Sequence, residues 1–520
     1  MTGVPVPVRF WMVLFLLGSS LLIGCGDATL AEPPTVAIAA TKHPLVAQYS
    51  FSSRCKGQVR VNFGRDTSYG RSTSWYATPG VASKLNILVA GMRASTTYHM
   101  SSEFQCNGTS WNSPDQTFTT GPLPSSGWPS LTVARPTPSL SSSENWGVEL
   151  LDLVNLSGTG GIMQALVTDR DGQPIWYYDV GNDQGNWPYT FKLLPNGDMI
   201  FSITKYQSGG TILREVDLAG NTIRELDVDA LAQKMQEAGF SFQITGYHHD
   251  FVPLANGHLI VLGSYSKDFT DLPGRPGTTS VLGDGIVDLD PNWQPVWAWS
   301  AFDHLDVNRH LNGLPDWTHS NALLYSPSDG NLILSIRHQS WIIKIDYQDG
   351  SGRGDILWKL GYQGDFALPT DDPSQWFSFQ HYPWILNQDG SKTTLAVWDN
   401  GDARVEDTAG HLCGSSPAVP SCYSRAQIYQ IDESTRTAQL LWQDLPGLFS
   451  FWGGSINQLA NGNVEFDANS PLGEPFGSQV EEVTQKANPQ IVWEMTIGLP
   501  VFAYRAYRIP SLYPDVSWNY

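Results

Sequence analysis

"LLYSPSDGNLILSIRHQSWIIKIDYQDGSGRGDILWKLG", Leu323 to Gly361, contains four short apolar runs set apart by polar turns. Leu323–Tyr325 and Leu332–Ile336 flank a Ser-Pro-Ser-Asp-Gly turn, and Ile342–Ile345 and Ile356–Leu360 flank a longer turn rich in Asp and Gly. Short runs of β-branched and aromatic residues bounded by turn formers read as strands. The stretch therefore predicts two hairpins in series, which make one four-stranded sheet.

The unit recurs. Its second hairpin, usually with a Trp in the closing strand, has six copies: "QALVTDRDGQPIWYYD", "ILREVDLAGNTIRELD", "GIVDLDPNWQPVWAWS", "IIKIDYQDGSGRGDILWKLG", "IYQIDESTRTAQLLWQDL" and "VEEVTQKANPQIVWEM". The first hairpin has five: "KLLPNGDMIFSI", "VPLANGHLIVLG", "LLYSPSDGNLILSI", "ILNQDGSKTTLAVW" and "NQLANGNVEFDA". Turns at Asn196, Asn256 and Asn461 are Asn-Gly, the preferred chemistry of a tight two-residue hairpin. Four-stranded sheets in series predict a β-propeller, whose radial closure hides most strand edges. Residues 147–156 supply only part of a first blade, and "YRAYRIPSLY" near the C-terminus is the candidate to complete it. Inserted segments around 229–246, 265–282, 301–318 and 362–379 are expected as loops on one face.

Upstream, residues 35–121 alternate in short strands. Met92, Ala94, Thr96 and Tyr98, at two-residue spacing before a strand, resemble the tyrosine corner of fibronectin type III-like sandwiches. "TGPLPSSGWPS" reads as a linker. The expected fold is all-β: a six-bladed β-propeller over 122–520, preceded by a small fibronectin type III-like β-sandwich over 35–121.

Composition agrees. The 520 residues include 20 Trp, 20 Tyr and 21 Phe, with 49 Gly, 34 Pro and 15% charged residues, a turn-rich and aromatic-rich balance. The formal charge of -20 argues against a nucleic-acid partner, and an anionic ligand would need a locally cationic site. At the N-terminus, Arg9 precedes "FWMVLFLLGSSLLIG", which closes on Leu22-Ile23-Gly24-Cys25. This resembles a bacterial lipobox. It implies a signal peptide over 1–24, lipid on Cys25, a tether to residue 34, and export to the outer membrane facing the periplasm, with the membrane touched only through the lipid. The four other cysteines fall into two pairs, Cys55–Cys106 and Cys413–Cys422, as an exported compartment permits.

When the inner hairpins are aligned on the leucine before the turn, His249, His319 and His381 each stand five residues ahead of Leu254, Leu324 and Leu386. Tyr189 and Gly454 hold this position in the other two copies. Three of only 11 histidines thus share one register, which in a propeller directs them to the mouth of the axial channel. Adjacent strand residues face opposite ways, so one of His248 and His249 should face the channel; register favours His249. Arg337 ends the second strand of the His319 hairpin and should lie beside it. Asn321, two residues after His319, shares its strand face. Three imidazoles could hold a metal. With Arg337 and Asn321 they instead fit transfer of an anionic group, with His as nucleophile and Arg and His on the peripheral oxygens. A non-catalytic propeller that binds glycan or protein is the third alternative.

"YHHDFVPLANGHLIVLG", "DWTHSNALLYSPSDGNLILSIRHQSWIIKID", "ILWKLG", "FQHYPWIL" and "YRAYRIPSLYP" resemble the bacterial arylsulfate sulfotransferase family. The resemblance implies transfer of a sulfuryl group from an aryl sulfate donor to a phenolic acceptor, by a ping-pong mechanism and without cofactor or nucleotide donor. The chain indeed has no G-x-x-x-x-G-K-[ST] loop. It further implies His381 as the nucleophile that becomes sulfohistidine, His249 (or His248), His319 and Arg337 as its support, Asn321 as a neighbouring donor, and Cys413–Cys422 as a disulfide near the site. The context "QHYP" departs from the family pattern, which leads one to expect an acidic residue after the His. Trp317, Trp376 and Trp452 are candidates to pack an aryl ring.

Overall fold

The computed structural model describes residues 33–80, 84–137, 146–155, 164–180, 186–205, 210–370, 372–404, 412–414 and 422–518. The segment expected as a signal peptide, Cys25 and most of the expected tether lie outside these residues.

Each sequence repeat becomes one antiparallel sheet. Blade 2 runs from inside to outside as Asn186–Leu193, Met199–Lys205, Thr211–Val216 and Thr222–Asp227. Blade 3 is Gly246–Pro253, Leu259–Leu272, Arg275–Leu289 and Pro295–Ser300. Blade 4 is Ser320–Ser326, Asn331–Ile336, Trp341–Ile345 and Ile356–Leu360; blade 5 is His381–Asp389, Lys392–Asp399, Arg425–Asp432 and Thr437–Asp444. Blade 6 is Ser455–Gln458, Val464–Asn469, Phe476–Val483 and Ile491–Gly498, with Leu131–Ala134 added outside. Blade 1 closes the ring. Its three outer strands, Val148–Asn155, Ala165–Thr168 and Pro174–Tyr178, receive their innermost strand, Val501–Ile509, from the far end of the chain.

The closing-strand tryptophans join the blades. Trp176 donates its indole N–H to Leu218 O of blade 2, Trp297 and Trp299 donate to Gly352 O and Gly354 O of blade 4, and Trp442 donates to Lys486 O of blade 6. Trp493 of blade 6 reaches Arg170 O of blade 1 at 2.9 Å, across the seam. Each of these rings buries a large apolar area and satisfies its single donor on a turn carbonyl of the next blade, whereas the Trp358 N–H of blade 4 is buried without a partner.

The seam also holds a buried charge cluster. Arg508 bridges Glu149, Glu465 and Glu482 at 2.6, 2.6 and 2.7 Å, and Arg170 bridges Glu149 and Glu482 at 3.0 Å each. All five side chains are buried. Burial pushes Glu149 up to about 7, and burial together with Glu149 drives Glu465 well above its usual range. Three carboxyls thus face two guanidiniums in the buried seam.

The Asn-Gly turns differ from the two-residue form expected. Gly197, Gly257 and Gly462 alone take positive φ (90°, 87° and 84°) and donate back to Leu194, Leu254 and Leu459. The Asn stays right-handed because its side-chain oxygen accepts the N–H two residues on, at 3.0, 3.1 and 2.9 Å. The Asn therefore caps the turn while the Gly supplies the left-handed residue. Of the expected loops, 265–282 is instead a hairpin that prolongs the two middle strands of blade 3, and 228–237 forms a helix capped by Asp227.

Residues 35–119 form two packed sheets. One orders Thr35–Ala40, Ala47–Ser52 and Lys84–Val89; the other is built on Lys56–Gly64 and Thr97–Cys106. The Tyr98 hydroxyl accepts Arg93 N–H at 3.0 Å, so the tyrosine corner forms, and Cys55–Cys106 is disulfide-bonded. Trp518 packs edge-on to Phe63, and Tyr513 bonds Leu88 O and Ala90 N, so the C-terminal segment ties the sandwich to the propeller.

Candidate active site

The inner strands of blades 2 to 5 each carry a bulge close to the channel mouth, where residues on the inner strand outnumber those opposite. A bulge re-aims side chains, and here it does so with unusual backbone. His249 and His319 have φ of 54° and 49°, and Phe379 and Tyr382 have 53° and 36°. Left-handed non-glycine residues cost on the order of 1–3 kcal/mol each and gather at functional sites. Strict alternation therefore fails at His248 and His249. Both are buried with Nδ1 atoms 2.8 Å apart, but they have different neighbours. His249 stacks edge-on to His319 at 4.9 Å and faces Tyr504 at 5.7 Å. His248 turns to Asp284, with Nε2 3.2 Å from Oδ1. Burial works to raise Asp284, yet its bonds from His248 and Ser320 outweigh it and hold the carboxyl at about 2.

His381 begins the inner strand of blade 5, beside Tyr504 at 6.2 Å. Its tautomer follows from its neighbour. Asn400 Nδ2 donates to Ser450 O and Gly453 O, at 2.8 and 3.0 Å, which turns Oδ1 toward His381 Nδ1 at 2.7 Å. Nδ1 must then carry the hydrogen, and Nε2 keeps its lone pair, lightly held by Gly453 N–H at 3.2 Å. Burial first, then the charge of Arg337, drives His381 well below the ordinary histidine value of 6.5. Its Nε2 is thus an oriented nitrogen without a proton.

Arg337 follows Ile336, which pairs with Ser320 in the hairpin, so the expected juxtaposition with His319 is met in the backbone. The guanidinium turns toward blade 5. Nη2 bonds Asp402 at 2.9 Å and Phe451 O at 3.0 Å, and Nη1 lies 2.8 Å from His338 Nε2. Burial lifts Asp402 to about 7 against the pull of Arg337. Nε of Arg337 is buried without a hydrogen-bond partner. His319 bonds Asp316 at 2.6 Å and stacks on His338 at 4.5 Å. Asn321 is fully buried and gives its amide to Gln380 O at 2.7 Å. It holds the backbone just before His381, rather than pointing a donor into the channel.

Several participants escaped the sequence reading. His338, which falls outside the shared register, stacks on His319 and lies 2.8 Å from Arg337 Nη1. Arg505 is fully buried on the inner strand of blade 1, its guanidinium 4.1 Å over the Tyr382 ring and 3.3 Å from Asp250, and its charge disfavours protonation of His249 and His381. Lys192 pairs with the same Asp250 at 2.6 Å. Asn400 was within reach: the out-and-back logic that linked His319 to Arg337 leads from His381 to Asp399 and Asn400. Of the aromatic candidates, Trp452 stacks on Tyr504, whereas Trp317 is fully buried against Phe302 and Trp376 stacks on Tyr429.

Metal ligation fares worse. Among the described residues the grouping with metal-like spacing is Asp316, His319 and His338, not the three register histidines. His338 already spends Nδ1 on Asp316 O and faces Arg337 with Nε2. The neighbouring guanidinium opposes a cation there. Cys413–Cys422 is disulfide-bonded, and the Cys413 backbone pairs with Ala403 and Arg404, next in sequence to Asp402.

The channel mouth of this six-bladed propeller thus gathers three histidines, two of which, His249 and His381, burial holds below the ordinary histidine range, with Arg337 and Arg505 close by. The family model for Arylsulfotransferase (ASST) matches residues 149–505, and the chain belongs to this family. It is 32% identical over 149 residues to the arylsulfate sulfotransferase AssT of Escherichia coli O6:H1, and 34% identical over 166 residues to that of Lelliottia amnigena. These matches span 25% and 27% of the chain and only 23% and 24% of the relatives. Among solved structures, a rhamnogalacturonan lyase from Bacillus licheniformis aligns over 93% of the chain and 91% of its own, at 10% identity and a TM-score of 0.30, too loose a likeness to bear on function.

Proposed function

We propose that the protein is an aryl sulfotransferase that moves a sulfuryl group from an aryl sulfate ester to a phenol through a sulfohistidine on His381. The observation that carries this reading is the fixed tautomer of His381, which leaves Nε2 without a proton, held only by the long bond from Gly453 N–H at 3.2 Å, in a surrounding where the charges of Arg337 and His319 are felt. Nε2 attacks sulfur as the S–O bond to the aryl group breaks. The departing phenolate, whose conjugate acid has a pKa of about 10, needs little protonation. Arg337 and the imidazoles of His319 and His249 stabilise the peripheral oxygens. The acceptor phenolate then attacks the same sulfur, and His381 leaves neutral. No nucleotide enters either half-reaction.

The experiment is turnover of p-nitrophenyl sulfate with and without phenol. Phenol-dependent release of p-nitrophenol, with sulfated His381 detected by mass spectrometry after donor alone, is the expected result. Release indifferent to phenol would make the protein a sulfatase; no release and no sulfated histidine would discard the enzyme reading.

We further propose export and lipid anchoring at Cys25, on the strength of the Leu-Ile-Gly-Cys sequence and the two disulfides. Palmitate labelling of the membrane fraction should be lost in Cys25→Ser; undiminished labelling would refute it.

A further inference from the structure

A second cavity, of about 590 Å³, opens between the loops of blades 4 and 5. Tyr362, Trp376, Phe377 and Phe379 supply its aromatic lining, and Arg309 and Arg404 its charge. It adjoins the candidate active site through one wall. Phe379, two residues before His381, lies 5.7 Å from the His338 ring and 5.2 Å from the Arg337 guanidinium.

The two arginines are unequal. Arg404 gives Nη2 to Asp399 at 2.5 Å, a carboxylate it shares with Arg425 at 2.8 Å. Arg309 stacks on Trp341 at 3.6 Å and spends Nη1 on Gln339, at 2.7 Å to both the backbone and side-chain oxygens. No carboxylate pairs with it among the described residues, and burial alone lowers it to about 10, with no opposing charge to hold it up. The carboxylate on the lining, Asp372, is exposed at the rim and caps Ser374 N–H at 2.9 Å. In a chain of net charge -20, a half-buried uncompensated guanidinium in an aromatic-walled cavity is a site for an anion carried on a ring.

We propose that this cavity is the acceptor subsite for phenols bearing a carboxylate, with Arg309 on the carboxylate and Tyr362, Trp376 and Phe379 against the ring. The assignment rests on the sulfotransferase reading for its role and on the cavity for its ligand class, and the test separates the two. Binding of 4-hydroxyphenylacetate and of phenol to the full-length protein is followed by tryptophan fluorescence, and KM for each as acceptor is measured with p-nitrophenyl sulfate as donor. Arg309→Gln should weaken 4-hydroxyphenylacetate by about tenfold or more in both Kd and KM, the worth of one charge-assisted bond, while phenol and kcat stay unchanged. Arg309→Lys, which keeps the charge, should recover part of the loss. Equal binding of 4-hydroxyphenylacetate to wild type and Arg309→Gln would overturn the subsite. Selective binding without turnover of either acceptor would support the ligand class and overturn the transfer role.

Discussion

His381→Asn should abolish sulfuryl transfer, by on the order of 10⁴-fold or more, because the attacking atom itself is removed. The loss should extend to the first half-reaction, so that no burst of p-nitrophenol and no sulfated protein appears. The pH profile of the wild type carries the same assignment. Burial and the charge of Arg337 hold His381 below 6.5, so the imidazole stays neutral as pH falls through 6.5 and is protonated only further down. The acidic limb of kcat/KM should accordingly lie below that of an ordinary histidine. Arg337→Gln removes one of the charges that disfavour imidazolium, so it should move the limb upward. It should also cut the rate by about 10²–10³-fold, through loss of a donor to the sulfuryl oxygens. A His381→Asn protein that turned over p-nitrophenyl sulfate within tenfold of wild type would remove His381 from the chemistry.

Arg508→Met should be the most damaging single change to stability, at about 3–5 kcal/mol, the usual effect of breaking a buried charge pair from one side. Methionine keeps the length of the stem, so the effect reports the charge. Glu149, Glu465 and Glu482 would then share only Arg170. Glu149 and Glu465 already have raised values, and orphaned carboxylates in this seam can be neutralised only by taking up protons. The penalty should therefore be larger at about pH 8 than at about pH 5, since protonation of the native state offsets it in acid. Denaturant midpoints of the two proteins at both pH values test this; a loss below about 1 kcal/mol at the higher pH would show that the seam does not depend on the cluster.

The fold was legible because its signal is periodic. Six hairpin copies, five with a tryptophan in the closing strand, leave little room for another architecture, and the partial blade near residue 150 points to "YRAYRIPSLY" as its complement. The candidate site was legible where it repeats: His249, His319 and His381 share one register and do converge. What remained hidden is what does not repeat. Arg505 and Tyr504 enter the site from a strand paired across hundreds of residues of sequence. His338 enters by the 3-10 turn after Ile336, which alternation does not foresee. Bulges defeated the expectation that His248 and His249 face opposite ways, since a single inserted residue resets the phase of a strand. Asn321 looked like a donor to the channel because its face was read correctly, but not the neighbouring blade that takes its amide.

Strand Val501–Ile509, which closes blade 1, follows every other strand in the sequence. A chain translated or delivered N-terminus first has all of its candidate histidines in hand before it has the residues that seat them. A break anywhere between residues 498 and 501 would leave five whole blades and every register histidine, yet remove Tyr504 from beside His249 and His381 and Arg505 from beneath them. The surroundings of the register histidines are thereby left unfinished until this one strand is in place, so the closure of the ring and the completion of the candidate site are a single event.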